Sequence, residues 1–183
     1  PSTEILGTIA RQSDIHAEWS INEKVAADLC LAASAEGIPS LCAMKDLGLN
    51  VASESFLHGS RVPLKGGLVV VSCDDAGRLI GDDMNDTRRL ARALGLPVLE
   101  PSSPHEAFQL TRLALAMSRH YGIPVLVRMT AVLTHGTGVV DLDAAAPSIR
   151  GHQDSLPFPD FNVEQLSRHS SHPIHVLQSW EKG

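Results

Sequence analysis

Two short stretches of this chain carry the residue types best suited to chemistry. One is Glu18-Trp19-Ser20-Ile21-Asn22-Glu23-Lys24, which opens an apolar helix-forming run; the other is Met44-Lys45-Asp46-Leu47-Gly48-Leu49-Asn50, which closes a strand-like run. A carboxylate such as Glu23 at a helix start is kept ionised by the macrodipole and can accept a hydrogen bond from a protonated ring nitrogen. Ser20 and Glu23 also have the S-x-x-E spacing of a capping box, in which both side chains satisfy orphan N–H groups of the first turn. A cap and a catalytic carboxylate are therefore both open for Glu23. Lys45, at a strand end, has the charge to meet a carboxylate or a cofactor, and equally the character of a solvated turn lysine.

Other polar groups read more simply. Asp74-Asp75 follow a buried strand, where acids commonly cap the next segment. Gly81-Asp82-Asp83 reads as a helix-entry cap. Arg88 and Arg89, among Asp82, Asp83 and Asp86, read as surface ion pairs of small individual value. His169, His172 and His175 are spaced so that at most two share a helical face, which is weak support for a metal. His135 reads as a strand-end histidine or one near a domain interface. Cys30, Cys42 and Cys73 have no C-x-x-C spacing, so they read as reduced, buried thiols rather than zinc or iron–sulfur ligands.

These residues need a scaffold, and the apolar pattern suggests one. Strands are expected at Ser40–Met44, Gly67–Cys73, Pro97–Leu99 and Pro124–Thr130, each short, apolar on both faces and bounded by Gly or Pro. Helices are expected at Ile21–Glu36, Val51–Leu57, Asp83–Leu94 and Pro104–Tyr121. The first shows Ile21, Val25, Leu29 and Ala33 at intervals of four; the last has its own capping box, Ser103 with Glu106. Such alternation predicts an α/β fold, an open doubly wound and mostly parallel sheet with helices on both faces. Ligands in such sheets sit beyond the carboxyl ends of the strands. That places Lys45–Asn50, Asp74–Gly77 and Thr130–His135 at the expected crevice.

The 183 residues are enough for one domain with a real core, read here as 1–140. From Asp141 the prolines multiply and no period persists, so 141–183 reads as an irregular tail that packs on a surface or a partner, with a short strand at Pro173–Leu177. The opening Pro1-Ser2-Thr3-Glu4-Ile5-Leu6 reads as a loop entering a helix, as though a first strand were missing. A net charge of -6 leaves no basic face for nucleic acid. No apolar run has membrane-spanning length and no signal-peptide pattern opens the chain, which points to the cytoplasm.

The strings just described, followed by Lys65-Gly66-Gly67-Leu68-Val69-Val70-Val71, Leu99-Glu100-Pro101-Ser102-Ser103-Pro104-His105-Glu106-Ala107 and Pro124-Val125-Leu126-Val127-Arg128-Met129-Thr130, occur in one order that resembles a known family. The chain from Pro1 to about His135 resembles the pyrimidine-binding (PYR) domain of the thiamine-diphosphate-dependent 2-oxoacid:ferredoxin oxidoreductases, most of all the large subunit of the indolepyruvate enzymes. The resemblance implies a thiamine-diphosphate-binding fold of PYR type. It implies that Glu23 bonds the pyrimidine nitrogen N1′, promoting removal of the thiazolium C2 proton. It also implies cofactor contacts from Lys45, Gly48, Leu49 and Asn50. The chain departs from the family pattern at Ile80–Asp86, where acids replace a polar amide run, and at Asp46, where histidine is expected.

The Gly-Asp-Gly…Asn pattern that holds the diphosphate and Mg²⁺ in that family has no counterpart here, nor do ferredoxin-type cysteine clusters. Mg²⁺ and iron–sulfur clusters are thus expected only on partner domains, and the isolated chain is expected to be inactive. The leading expectation is a component of a hetero-oligomeric oxidoreductase that converts a 2-oxoacid to acyl-CoA with ferredoxin as electron acceptor. Two alternatives remain at this point: the alpha chain of a two-chain thiamine-diphosphate 2-oxoacid decarboxylase, and a non-catalytic partner that retains the fold.

Overall fold

The structure, a computed structural model, describes residues 2–59, 61–75 and 86–143. The expected tail beyond Asp143, its strand at Pro173–Leu177, the histidines 169, 172 and 175, the Gly81–Asp83 cap and most of the 80–86 departure lie outside the described residues. The element order is α1 (Ser2–Gln12), α2 (Glu23–Ala35), β1 (Ser40–Lys45), α3 (Asp46–Val51), α4 (Ser53–Gly59), β2 (Leu68–Asp74), α5 (Thr87–Leu94), β3 (Val98–Leu99), α6 (Pro104–Tyr121), β4 (Val125–Thr130) and α7 (Ala131–Thr134).

The four strands form one sheet in the order β1-β2-β4-β3, with every neighbouring pair parallel. This is the expected α/β class, and the expected strands agree with the observed ones to within a residue at each end. Alternation along the strands divides the apolar side chains between two cores. Cys42, Met44, Leu68, Val70 and Leu126 meet Ala27, Leu49, Ala52, Phe56, Ala91 and Leu94 from the helices on one face. Val69, Val71, Cys73, Val125 and Val127 meet Ala114, Leu115 and Met117 of α6 and Ile5 of α1 on the other. β2 is buried along its whole length, as expected of a central parallel strand covered on both sides.

Side-chain links complete this frame. The buried Ser118 hydroxyl accepts from the Leu68 N–H at 2.7 Å and donates to the Ile123 carbonyl at 2.6 Å, tying α6 to the start of β2. Helices α5 and α6 each stop at a left-handed glycine, Gly95 and Gly122, a conformation that favours a residue without a Cβ.

Two expectations are corrected. The N-cap of α2 is Asn22, whose side-chain oxygen accepts from the Val25 N–H at 2.9 Å. Glu23 is thus the first helical residue rather than the third, and Ser20 makes no capping box with it. The supposed turn after β1 is the helix α3, because Asp46 enters helical geometry directly after Lys45. The apolar residues at intervals of four, moreover, lie on the outer side of α2. Ile21 is 90% exposed, Leu29 50% and Val25 37%, while Ala27, Ser34, Cys30 and Leu31 turn inward. Small side chains let α2 lie close to β1, and the larger ones are left on its outer side.

Candidate active site

Glu23 and Gly48 come together at the carboxyl end of β1. Glu23 is half-buried, and its side chain lies flat over α3: a Cβ built on Gly48 would fall 2.6 Å from Glu23 Cγ, 2.9 Å from Oε1 and 3.0 Å from Cδ. No hydrogen bond or ion pair reaches this carboxylate from any described residue. The start of α2 is held by its neighbours instead. Lys24 Nζ donates to Glu54 Oε2 at 2.6 Å and to the Ser55 hydroxyl at 3.2 Å, and stands 3.6 Å from Asp28. The hydrogen bond from Lys24 to Glu54 raises the lysine pKa and lowers that of the glutamate.

The other residues implied by the family pattern lie along the same β1–α3 junction. Lys45 is the last residue of β1 and is exposed, with no ion pair among the described residues. Gly48 is buried beneath Glu23, and Asn50 is exposed on the outer side of α3. Leu49 is fully enclosed in the core, so its side chain is not open to a ligand. Asp46 is nearly buried, and its Oδ1 accepts from the Leu47 N–H at 2.9 Å, a local bond that strengthens the start of α3.

A second polar group occupies the ends of β2 and β4, and it is of a different kind. Asp74 is 1% exposed and accepts from Arg128 Nε at 2.6 Å, the Ser72 hydroxyl at 2.8 Å, and the hydroxyl and N–H of Thr87 at 2.8 and 3.2 Å. The Thr87 N–H belongs to the first turn of α5, so Asp74 helps fix that helix as a capping acid would. Arg128, 4% exposed, also donates to Glu100 Oε1 at 2.5 Å. Asp86 caps α5 and takes a two-pronged hydrogen bond from Arg88, which pulls the Asp86 carboxyl below its usual range. Arg88 is the surface ion-pair residue expected from its surroundings, and His135 is exposed at the end of α7.

Sequence reasoning missed Asn22, Lys24 and Arg128. Asn22 had a readable signal, since Asn immediately before a charged helix start is a strong N-cap type. Lys24 with Glu54, and Arg128 with Asp74, are far apart in sequence, and only the fold pairs them. Among the described residues no group of three His, Cys, Asp or Glu side chains could hold a metal ion, and no helix is long and apolar enough to cross a membrane.

No family model matches the chain. Among curated proteins, the indolepyruvate oxidoreductase subunit IorA of Methanothermobacter marburgensis is 42% identical over 144 residues, which is 77% of this chain and 23% of the relative. The same subunit of Archaeoglobus fulgidus is 35% identical over 176 residues, 92% of this chain and 26% of the relative. Among solved structures, a transketolase from Pichia stipitis aligns at 18% identity with a TM-score of 0.43, covering 59% of this chain and 18% of that one. The chain spans about a quarter of the length of the curated relatives it matches. By sequence it belongs with the indolepyruvate oxidoreductase IorA subunits, as an IorA-like polypeptide.

Proposed function

We propose that this chain is the PYR component of a thiamine-diphosphate-dependent oxidoreductase that acts on indolepyruvate or another bulky 2-oxoacid. In the complete reaction a 2-oxoacid anion and coenzyme A become acyl-CoA, carbon dioxide and a proton, and the two electrons released pass one at a time to oxidised ferredoxin. The diphosphate and Mg²⁺ are held by a diphosphate-binding domain, and iron–sulfur clusters stand on partner domains of the same cytoplasmic hetero-oligomer.

The observation that carries this reading is the Glu23 carboxylate. It is half-buried, at a helix start, beside the carboxyl end of a parallel sheet, and among the described residues nothing donates to it. Its oxygens are not among the enclosed polar atoms, so they are reachable from solvent, and an acceptor left free of its own chain there fits a ligand N–H. Thiamine diphosphate supplies the nucleophilic carbon and the electron sink when bound. Glu23 would hold the proton at pyrimidine N1′, which favours the 4′-imino form able to take the C2 proton. Lys45, exposed at the end of β1 and without an ion pair among the described residues, would meet the cofactor or the carboxylate of the 2-oxoacid. The amide of Asn50 and the main chain at Leu49 complete the side formed by α3, with Gly48 beneath Glu23.

The test combines the chain with diphosphate-binding partners, thiamine diphosphate and Mg²⁺, and follows hydrogen–deuterium exchange at the thiazolium C2. Glu23→Gln should slow exchange on the order of 100-fold; unchanged exchange would sink the proposal. Ferredoxin reduction with acyl-CoA formation marks the oxidoreductase. Aldehyde release without ferredoxin reduction would instead mark the decarboxylase reading.

A further inference from the structure

We propose that Gly48 is a positioning residue for Glu23: its bare backbone fixes where the carboxylate stands, and its own contact with a ligand is secondary. The functional meaning of that position rests on the reading of Glu23 given above.

The backbone does not call for a glycine here. Gly48 lies inside α3 with an ordinary negative φ, where glycine lowers the folded-to-unfolded ratio roughly two- to fivefold relative to alanine. The surroundings supply the reason. The three heavy atoms nearest to a Cβ at this position all belong to Glu23, and the Cγ distance of 2.6 Å is far inside carbon–carbon contact.

Cγ is placed by the first side-chain torsion, χ1. A methyl group at position 48 can be accommodated by turning χ1 or by moving the start of α2 and α3 apart. The second route is opposed on one side by the Asn22 cap at 2.9 Å and the Lys24–Glu54 bond at 2.6 Å, and on the other by Leu49 of α3, fully enclosed in the core. The soft coordinate is therefore χ1, and turning it carries the carboxylate away from its place. Alanine at this position should leave the fold intact while moving the one group the site depends on.

Gly48→Ala, Glu23→Gln and the double variant of the intact chain separate the possibilities. Urea unfolding of Gly48→Ala is expected to give a folded-to-unfolded ratio within about fivefold of the original. The Glu23 χ1, read from side-chain NMR couplings, should change, and the close proton contacts between the Glu23 Cγ and the Gly48 Cα should be lost in the variant. With partners and cofactor present, C2 exchange should fall on the order of 100-fold, with no further loss on adding Gly48→Ala to Glu23→Gln. An unchanged χ1 overturns the proposal. So does full exchange in Gly48→Ala when Glu23→Gln has lost it. If Glu23→Gln retains exchange, the thiamine reading fails and χ1 alone decides the positioning role. Should Gly48→Ala fail to fold, recovery of folding by a second change, Glu23→Ala, supports the collision and continued failure overturns it.

Discussion

Two carboxylates stand at the carboxyl ends of neighbouring strands, and their surroundings are opposites. Asp74 is enclosed at the end of β2, and Arg128, Ser72 and Thr87 all donate to it. Glu23, beside the end of β1, is half-buried and has no donor among the described residues. A carboxylate whose lone pairs are all used by its own chain has finished its work on folding. One held in place by packing, with its oxygens left over, still has acceptors to offer, as the proposed thiamine contact requires. The contrast lies in hydrogen-bond satisfaction rather than in residue type.

The largest test of this contrast removes the guanidinium from the saturated side. Arg128→Met leaves Asp74 as a buried charge without its partner and should cost about 3–5 kcal/mol in urea unfolding. Glu23→Gln should change stability by no more than about 0.5 kcal/mol. If the two variants unfold alike, the division between a structural and a functional carboxylate is lost.

Gly66 and Gly48 give the same contrast in steric form. A Cβ on Gly66 would fall 2.3 Å from the Ile38 carbonyl oxygen, which is backbone and cannot turn aside. Gly66→Ala should cost about 1–3 kcal/mol in unfolding, whereas Gly48→Ala should change stability by no more than about 1 kcal/mol, because its obstacle is a side chain that can turn about χ1.

Cys73 pairs in register with Lys45 and directly precedes Asp74, so it stands between the two regions. Burial pushes its thiol up from the ordinary 9.0 to about 11. The protonated thiol is favoured in the fold, so its contribution is complete below the unfolded value near 9 and is lost as pH rises through about 11. Melting temperature should therefore fall across that alkaline window, and the fall should be smaller in Cys73→Ala. An equal fall in both would show that Cys73 is not the group responsible. At neutral pH the half-buried Cys30 should react with iodoacetamide before the buried Cys73 does.

The smallest expected effect sharpens what an unsatisfied group means. The Ser34 hydroxyl is fully buried in α2 and has no hydrogen-bond partner among the described residues. Ser34→Ala should raise stability by about 0.5–1 kcal/mol in thermal unfolding. A loss of stability instead would reveal an ordered water at that hydroxyl.

The sheet and α6 were legible because their signals are local. Runs such as Leu68–Asp74 are apolar on both faces, and Ser103-Pro104 marks the start of α6, where the Ser103 hydroxyl accepts from the Glu106 N–H at 3.2 Å. The Glu106 carboxylate closes its bonds on Ser102 rather than on Ser103, a difference of one residue that spacing does not resolve. The inner face of α2 was not legible because intervals of four mark any stripe, buried or exposed. Ala27 and Ser34 give little hydrophobic signal, although they are what fits against the sheet. At the site, Glu23 was legible as a residue. Its open hydrogen-bonding capacity was not, because that depends on Gly48, Lys24 and Glu54, which three separate helices bring together.

The all-parallel sheet also sets how this chain must assemble. Each strand pair joins segments distant in sequence, as when Val69 meets Val125 or Ser40 meets Leu68, and none can form as a hairpin. Chain entropy must be surrendered over each of these loops before strand pairing returns any favourable energy. Folding should accordingly be slow beside that of a helical bundle of equal length, with α6 able to form early and the meeting of Arg128 with Asp74 delayed until β2 and β4 have found their register. Until then the valines of β2 stay uncovered, and in that interval the chain is most exposed to aggregation.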